Sequence, residues 1–172
     1  GQSISALPLE TCETMNGMWG YKIKDQNYKS APTLLRLLVR TASKGANLLL
    51  NIGPQPNGEL PATALSRLCE MGEWLNGPAG ESIYATVAGP VSMGDSIVST
   101  RSRRDGSIYL HLLTDNVPST LTLPLDEKVT SATALLTGEK LAAKFNRKER
   151  TLTLTLPQLT QGQVDYIVKL SR

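Results

Sequence analysis

The segment from Leu9 to Tyr21 gathers the side chains that line clefts: two carboxylates, Glu10 and Glu13, the amide of Asn16, and the aromatic rings of Trp19 and Tyr21. Two carboxyls about 5 to 5.5 Å apart are what a retaining glycosidase needs, one as nucleophile and one as acid/base. Glu10 and Glu13 are near enough in sequence to be weighed as such a pair, although two glutamates in a polar loop are ordinarily just solvated. By residue type alone Trp19 and Tyr21 read as core more readily than as a sugar platform. A second segment, Ser43 to Pro54, ends a helix in Ser-Lys-Gly, follows with a short apolar strand and places Asn51 before a Gly-Pro turn. That is the form of a helix-to-strand connection in a parallel sheet or barrel, where functional groups cluster beyond the strands' C-terminal ends.

The elements that must position these residues follow from periodicity. Ser30 is a candidate N-cap, with Pro32 tolerated in the first turn. Leu34, Leu35, Leu37, Leu38 and Val39 give the first helix a broad apolar face, and Gly45 ends it. Residues 47–52 form a strand apolar on both faces. Pro61 starts a second helix, on which Leu65, Leu68, Cys69, Met71, Gly72, Trp74 and Leu75 recur at helical spacing until Asn76-Gly77-Pro78 stops it. From about Val87 the period changes from 3.6 to 2. Strands are expected at 96–101, 107–114, 120–125, 132–136, 140–145, 150–156 and 164–170, punctuated by turns such as Asp105-Gly106 and Thr137-Gly138. These short strands argue for an antiparallel β-sandwich.

The expected class is therefore α+β. Residues 1–86 are expected to form an incomplete parallel helix-strand unit, and residues 87–172 the sandwich. One helix-strand-helix unit cannot close a barrel, and a parallel strand buried on both faces needs neighbours. A partner chain, a swapped element or further sequence would supply them.

Composition excludes some classes. The net charge is only +3 and aromatics make up 5% of the chain, so the basic clusters at Arg101 to Arg104 and Lys144 to Arg150 read as solvated hairpin ends and no nucleic-acid face is expected. No apolar run is long enough to span a bilayer, so no membrane role is expected. Cys12 and Cys69 have no metal-like spacing; buried free thiols are expected, with a bridge left open. The residues at the start of the sequence do not read as a signal peptide.

The ordered set Glu10-Thr11-Cys12-Glu13-Thr14-Met15-Asn16-Gly17-Met18-Trp19-Gly20-Tyr21, Tyr28-Lys29-Ser30, Ser43 to Pro54, Asn57-Gly58-Glu59-Leu60-Pro61, Gly72-Glu73-Trp74-Leu75 and Gly80-Glu81-Ser82-Ile83-Tyr84-Ala85-Thr86 resembles the α-L-fucosidases of glycoside hydrolase family 29. The resemblance covers roughly the first half of the chain. It implies that residues 1–86 are the incomplete C-terminal end of a (β/α)8-like catalytic barrel and residues 87–172 the antiparallel β-sandwich that follows it. It places Glu10 where several members hold their general acid/base, and Trp19 where an aromatic meets the fucose ring and its C6 methyl. An acid there must keep its proton near neutral pH, which burial and a neighbouring carboxylate promote. Asn51, at the tip of the last barrel strand, is expected to brace loops. No metal or organic cofactor is implied. The expected substrate is a fucosylated glycan, and the expected compartment is secreted, periplasmic or lysosomal.

The departures from the family pattern matter as much. No W-x-D-G-like strand end, which carries the family's nucleophile aspartate, occurs in these 172 residues, and Asp25, Asp95, Asp105, Asp115, Asp126 and Asp165 all lie in loop or hairpin contexts. The only histidine, His111, lies in a sandwich strand and reads as a satisfied or exposed residue there. Leu9 replaces the usual Trp before the acid/base, Ala46 replaces a glycine, and Gly77-Pro78-Ala79-Gly80 alters a turn. The expectation is part of a retaining, exo-acting α-L-fucosidase that turns over negligibly alone, its nucleophile lying in a missing barrel portion or a partner chain. The alternative is a non-enzymatic structural or carbohydrate-binding module. Tyr109, Phe145 and Tyr166 give that alternative few aromatics.

Overall fold

The computed structural model describes residues 7–172. Strand β1 (Leu9–Thr14) runs parallel to β2 (Ala46–Asn51), with Glu10 opposite Asn47, Cys12 opposite Leu49 and Thr14 opposite Asn51. The periodicity reveals only β2. β1 is hidden because Glu-Thr-Cys-Glu-Thr offers no apolar alternation, so the opening unit is strand-helix-strand-helix.

Helix α1 (Ala31–Ser43) crosses between the two strands, and Ser30 Oγ caps it by accepting from the Thr33 amide at 3.3 Å. Gly45 follows with φ +71, a left-handed conformation that glycine adopts without a Cβ clash. Helix α2 (Ala62–Asn76) begins after Pro61. It buries less than its pattern suggests: Ala64 and Met71 are buried, whereas Leu65, Leu68 and Cys69 are exposed. The apolar arc of α2 is wider than the surface that α1 and the sheet cover. Cys12 and Cys69 are both free and exposed, which corrects the expectation of buried thiols.

A 3₁₀ turn (Pro78–Ser82) leads into β3 (Thr86–Met93). Gly89-Pro90 disguises β3 in the sequence. The strand absorbs both residues through a register shift between Ala88 and Ser92 against β4 (Ile97–Ser102). Gly89 is required, since a Cβ there would collide with the side chain and backbone of Ser99. The remaining strands are β5 (Ile108–Leu112), β6 (Thr120–Pro124), β7 (Ser131–Ala134), β8 (Lys140–Leu141), β9 (Ala143–Asn146), β10 (Thr151–Thr155) and β11 (Tyr166–Ser171).

They form two antiparallel sheets, ordered β3-β4-β5-β11-β7-β8 and β6-β10-β9. The single strand expected over 140–145 is two short strands on different sheets, joined at Ala142. Ile108, Leu110, Leu112, Val168 and Leu170 of the larger sheet pack on Leu121, Leu123, Leu152 and Leu154 of the smaller one. Those leucines alternate with outward threonines, as a sheet with one wet face requires. The class is α+β with a β-sandwich.

The helices and the sandwich share a core through Trp74. Its ring packs against the Met15–Leu34–Leu35 cluster, against Val39, Val98 and Leu113, and against Ala79, Tyr109 and Ile167. Polar ties reinforce the contact. Arg36 donates to the Val164 and Gln163 carbonyls at 2.9 and 2.8 Å, and Arg40 Nε to the Asp95 carbonyl at 2.9 Å.

Candidate active site

Because β1 and β2 are parallel, their C-terminal ends coincide at Thr14 and Asn51. The chain leaves this rim as a loop over residues 15–30, and many hydrogen bonds fix its path. The Met15 amide donates to the Asn51 carbonyl at 3.0 Å, and the Lys29 amide closes the loop onto the Met15 carbonyl at 2.8 Å. Lys29 Nζ reaches the carbonyls of Thr14 and Asn16 and the carboxylate of Glu13. Asp25 Oδ2 accepts from the Gly17 amide at 2.9 Å. Trp19 lies at the crown of this loop with 56% of its surface exposed, and Met18 and Ile23 are exposed near it in sequence.

Asn51 acts as a brace. Its Nδ2 donates to the Trp19 carbonyl at 2.6 Å, fixing the backbone that carries the indole. Gly53 has a related duty: a Cβ there would meet the Tyr21 nitrogen at 2.5 Å and the Gly20 carbonyl carbon at 2.6 Å. Only glycine lets the exit of β2 pass so close beneath the loop.

Glu10 stands elsewhere. It is exposed near the start of β1, with Cys12 Sγ donating to its Oε1 at 3.8 Å. Its partner Asn47 lies four residues before Asn51, a separation of roughly 13 Å along the strand at about 3.3 Å per residue. Glu10 and Trp19 are thus set apart along the strands, and a groove of about 970 Å³ around Leu9, Asn47 and Thr86 is lined by neither. Glu13 differs again. The Thr14 amide bonds its carboxylate at 2.8 Å and Lys29 Nζ at 3.3 Å, and the backbone bond, aided by Lys29 against partial burial, holds it below the usual carboxylate range. An ion held in this way is a poor proton donor.

The sequence did not signal one polar constellation. His111 Nδ1 lies 2.6 Å from Asp165 Oδ2 and Nε2 lies 3.3 Å from Thr100 Oγ1, with all three residues buried. The order hydroxyl, imidazole, carboxylate is that of a nucleophilic triad. Here, however, the Thr100 hydroxyl donates to the Ser82 carbonyl at 2.6 Å, and no solvent reaches it. A nucleophile needs access to substrate; this array is a strut between β4, β5 and the start of β11. His111 is thus satisfied. Its partner, 54 residues away, could not be read from spacing. Among the described residues no group of three or more His, Cys, Asp or Glu side chains is placed to hold a metal ion.

A family model described as alpha-L-fucosidase matches residues 1–79. The α-L-fucosidase of Dictyostelium discoideum is 32% identical over 159 residues, covering 87% of this chain and 34% of its own length. The human tissue α-L-fucosidase is 30% identical over 175 residues, covering 95% of this chain and 36% of its own. Among solved structures, α-L-fucosidase isoenzyme 1 from Paenibacillus thiaminolyticus superposes with a TM-score of 0.82 at 29% identity, over 96% of this chain and 40% of that one.

The chain is homologous to the C-terminal part of the α-L-fucosidases.

It spans about a third of the curated relatives' length. The residues matched to the α-L-fucosidase family include β1, the Trp19 loop, α1, β2 and α2, so everything at the rim described above lies within them. The relatives include plasma and tissue α-L-fucosidases, and no described helix is long and apolar enough to cross a membrane.

Proposed function

We propose that these residues complete the active site of a retaining, exo-acting α-L-fucosidase that releases terminal α-L-fucose from glycans. The observation that carries the reading is the loop rim at the C-terminal ends of two parallel strands, inside the segment matched to that family. A carboxylate from outside these 172 residues attacks the anomeric carbon as the glycosidic bond breaks, and Glu10 gives its proton to the departing oxygen. Glu10 then takes a proton from the water that releases fucose. Trp19 lays its exposed indole against the apolar face and C6 methyl of the sugar. Glu13, held as an anion, takes no part in proton transfer.

The separation of Glu10 from the rim sets a condition. Roughly 13 Å along a strand is wider than one pyranose ring, so the Glu10 carboxyl must reach along the strand towards the Trp19 loop, whose own path is fixed. The surface that buries Glu10 comes from the remainder of the barrel, on the same chain or a partner. The plasma and tissue forms among the relatives support a secreted, periplasmic or lysosomal setting.

The test is hydrolysis of an aryl α-L-fucoside by the protein purified from its source, beside residues 1–172 alone. Turnover with net retention in the first and none in the second is expected. No turnover in the first would leave a structural or carbohydrate-binding module as the function.

A further inference from the structure

The hairpin joining β9 to β10 carries Lys144, Arg147, Lys148 and Arg150 within residues 144–150, against the single carboxylate of Glu149. A short basic run matters for polyanions only if the fold gathers its charges on one open surface. Here the fold does so. Phe145 turns inward to the sandwich core, so Lys144 and Asn146 on either side of it face outward. Asn146 Oδ1 accepts from the Lys148 amide at 3.1 Å and the Glu149 amide at 3.3 Å, which fixes the turn that exposes Arg147 and Lys148. Among the described residues no ion pair engages Lys144, Arg147 or Lys148. Arg150 meets Asp126 at 3.7 Å with the two side chains 74% and 79% exposed. A pair so open to water contributes little and leaves the guanidinium available.

The strands extend this surface with hydroxyls. Directly opposed residues of an antiparallel pair share a face. One row across the smaller sheet therefore reads Thr122, Thr153, Lys144, and the next Pro124, Thr151, Asn146. Thr122 and Thr153 are hydrogen-bonded to each other at 3.1 Å. Among the described residues, none of the exposed large apolar side chains lies on β6, β9 or β10. The outer face is thus an open array of hydroxyls with unpaired cations at one end.

These features select a partner. Grouped like charges repel one another, and a bound polyanion relieves the repulsion. A single-stranded nucleic acid would need aromatic platforms for its bases, and a membrane would need apolar side chains to insert. The face offers neither. A polysaccharide bearing sulfate or carboxylate groups presents anions to the lysines and arginines, and hydroxyls that donate to and accept from the threonines. We propose that the outer face of the β6-β10-β9 sheet, centred on the 144–150 hairpin, binds an anionic polysaccharide. It uses no residue of the strand rim and does not depend on the reaction there.

The test is retention of the full-length protein on immobilised chondroitin sulfate (sulfate and carboxylate), hyaluronan (carboxylate alone) and neutral dextran. Binding to one or both anionic glycans and none to dextran is expected, and the first two tell which anion is read. Salt should release the protein, because the Debye length shortens from about 10 Å at 0.1 M to about 3 Å at 1 M. Lys144→Gln, Arg147→Gln and Lys148→Gln should each weaken binding by about 2- to 5-fold, and the three together by about 10-fold or more. The melting temperature and the hydrolysis of a small aryl fucoside should not change. Lys148→Arg keeps the charge and should bind as the unaltered protein does. The proposal is overturned if neither anionic glycan is retained, or if the triple variant binds as tightly as the unaltered protein. It is also overturned if Arg104→Gln, in the turn between β4 and β5 of the other sheet, weakens binding as much as Lys148→Gln, or if single-stranded DNA binds more tightly than either glycan.

Discussion

Removing Asp165 should cost far more stability than the loss of an ordinary hydrogen bond. The Thr100 hydroxyl has one proton and gives it to the Ser82 carbonyl at 2.6 Å, so the 3.3 Å contact to His111 requires the proton to lie on Nε2. The 2.6 Å line between His111 Nδ1 and Asp165 Oδ2 then carries one further proton. Asp165→Leu strands an imidazole with an unmatched nitrogen or an unmatched charge, at a place that solvent does not reach. Breaking a buried pair in this way costs about 3–5 kcal/mol, a large share of the roughly 5–15 kcal/mol typical of a folded protein. At about 2–4 °C per kcal/mol for a domain of this size, the melting temperature falls by roughly 6–20 °C. Asp165→Asn keeps the shape and can still donate to Nδ1, so its cost should fall to about 1 kcal/mol. Urea unfolding of Asp165→Leu, of His111→Leu and of the double variant His111→Leu/Asp165→Leu isolates the pairing, and the double variant should lose less than the sum of those two singles. The reasoning fails if Asp165→Leu costs under about 1 kcal/mol, or if the two sites add without coupling.

Three further outcomes follow from the same structure. Trp74→Ala, which removes the ring shared by three core clusters, should cost about 3–5 kcal/mol in denaturant unfolding and loosen the helices from the sandwich together. Gly53→Ala pushes on the Gly20–Tyr21 backbone and displaces the Trp19 loop; kcat/KM for a fucoside in the full-length protein should fall about 10- to 100-fold. Glu81 accepts from Lys169 Nζ at 2.5 Å and from Tyr109 Oη at 2.6 Å, which hold its carboxyl below the ordinary 4.5. A depressed carboxyl contributes stability above the unfolded value that is lost as the pH falls below 4.5. The drop in melting temperature on acidification should therefore be smaller in Glu81→Gln than in the unaltered protein, and an equal drop would show that the pairing contributes nothing.

Much of the fold is legible in the sequence because local chemistry dictates it. Ser30, Gly45 and Pro61 mark helix ends with side-chain and backbone rules that act within a few residues. Thr151 to Leu156 announces a half-buried strand by alternation alone. β1 and β3 stay hidden for the opposite reason. The polar β1 is stabilised by its parallel neighbour rather than by its own pattern, and β3 carries a Gly-Pro pair that only a register shift accommodates. At the candidate site, the sequence singles out Asn51 and Trp19, which the structure links by a hydrogen bond. The axial distance between Glu10 and the rim is set by strand register, and neither that nor the His111–Asp165 pair leaves a mark in residue spacing.

The central claim rests on Glu10 as proton donor, and leaving-group dependence tests it most directly. In the full-length protein, Glu10→Gln should lose about 10²- to 10⁴-fold in kcat/KM on an alkyl or glycosyl α-L-fucoside, whose departing oxygen needs a proton. The loss should be far smaller on an aryl fucoside with an acidic phenol. Equal losses on both substrates, or none on either, would contradict the assignment.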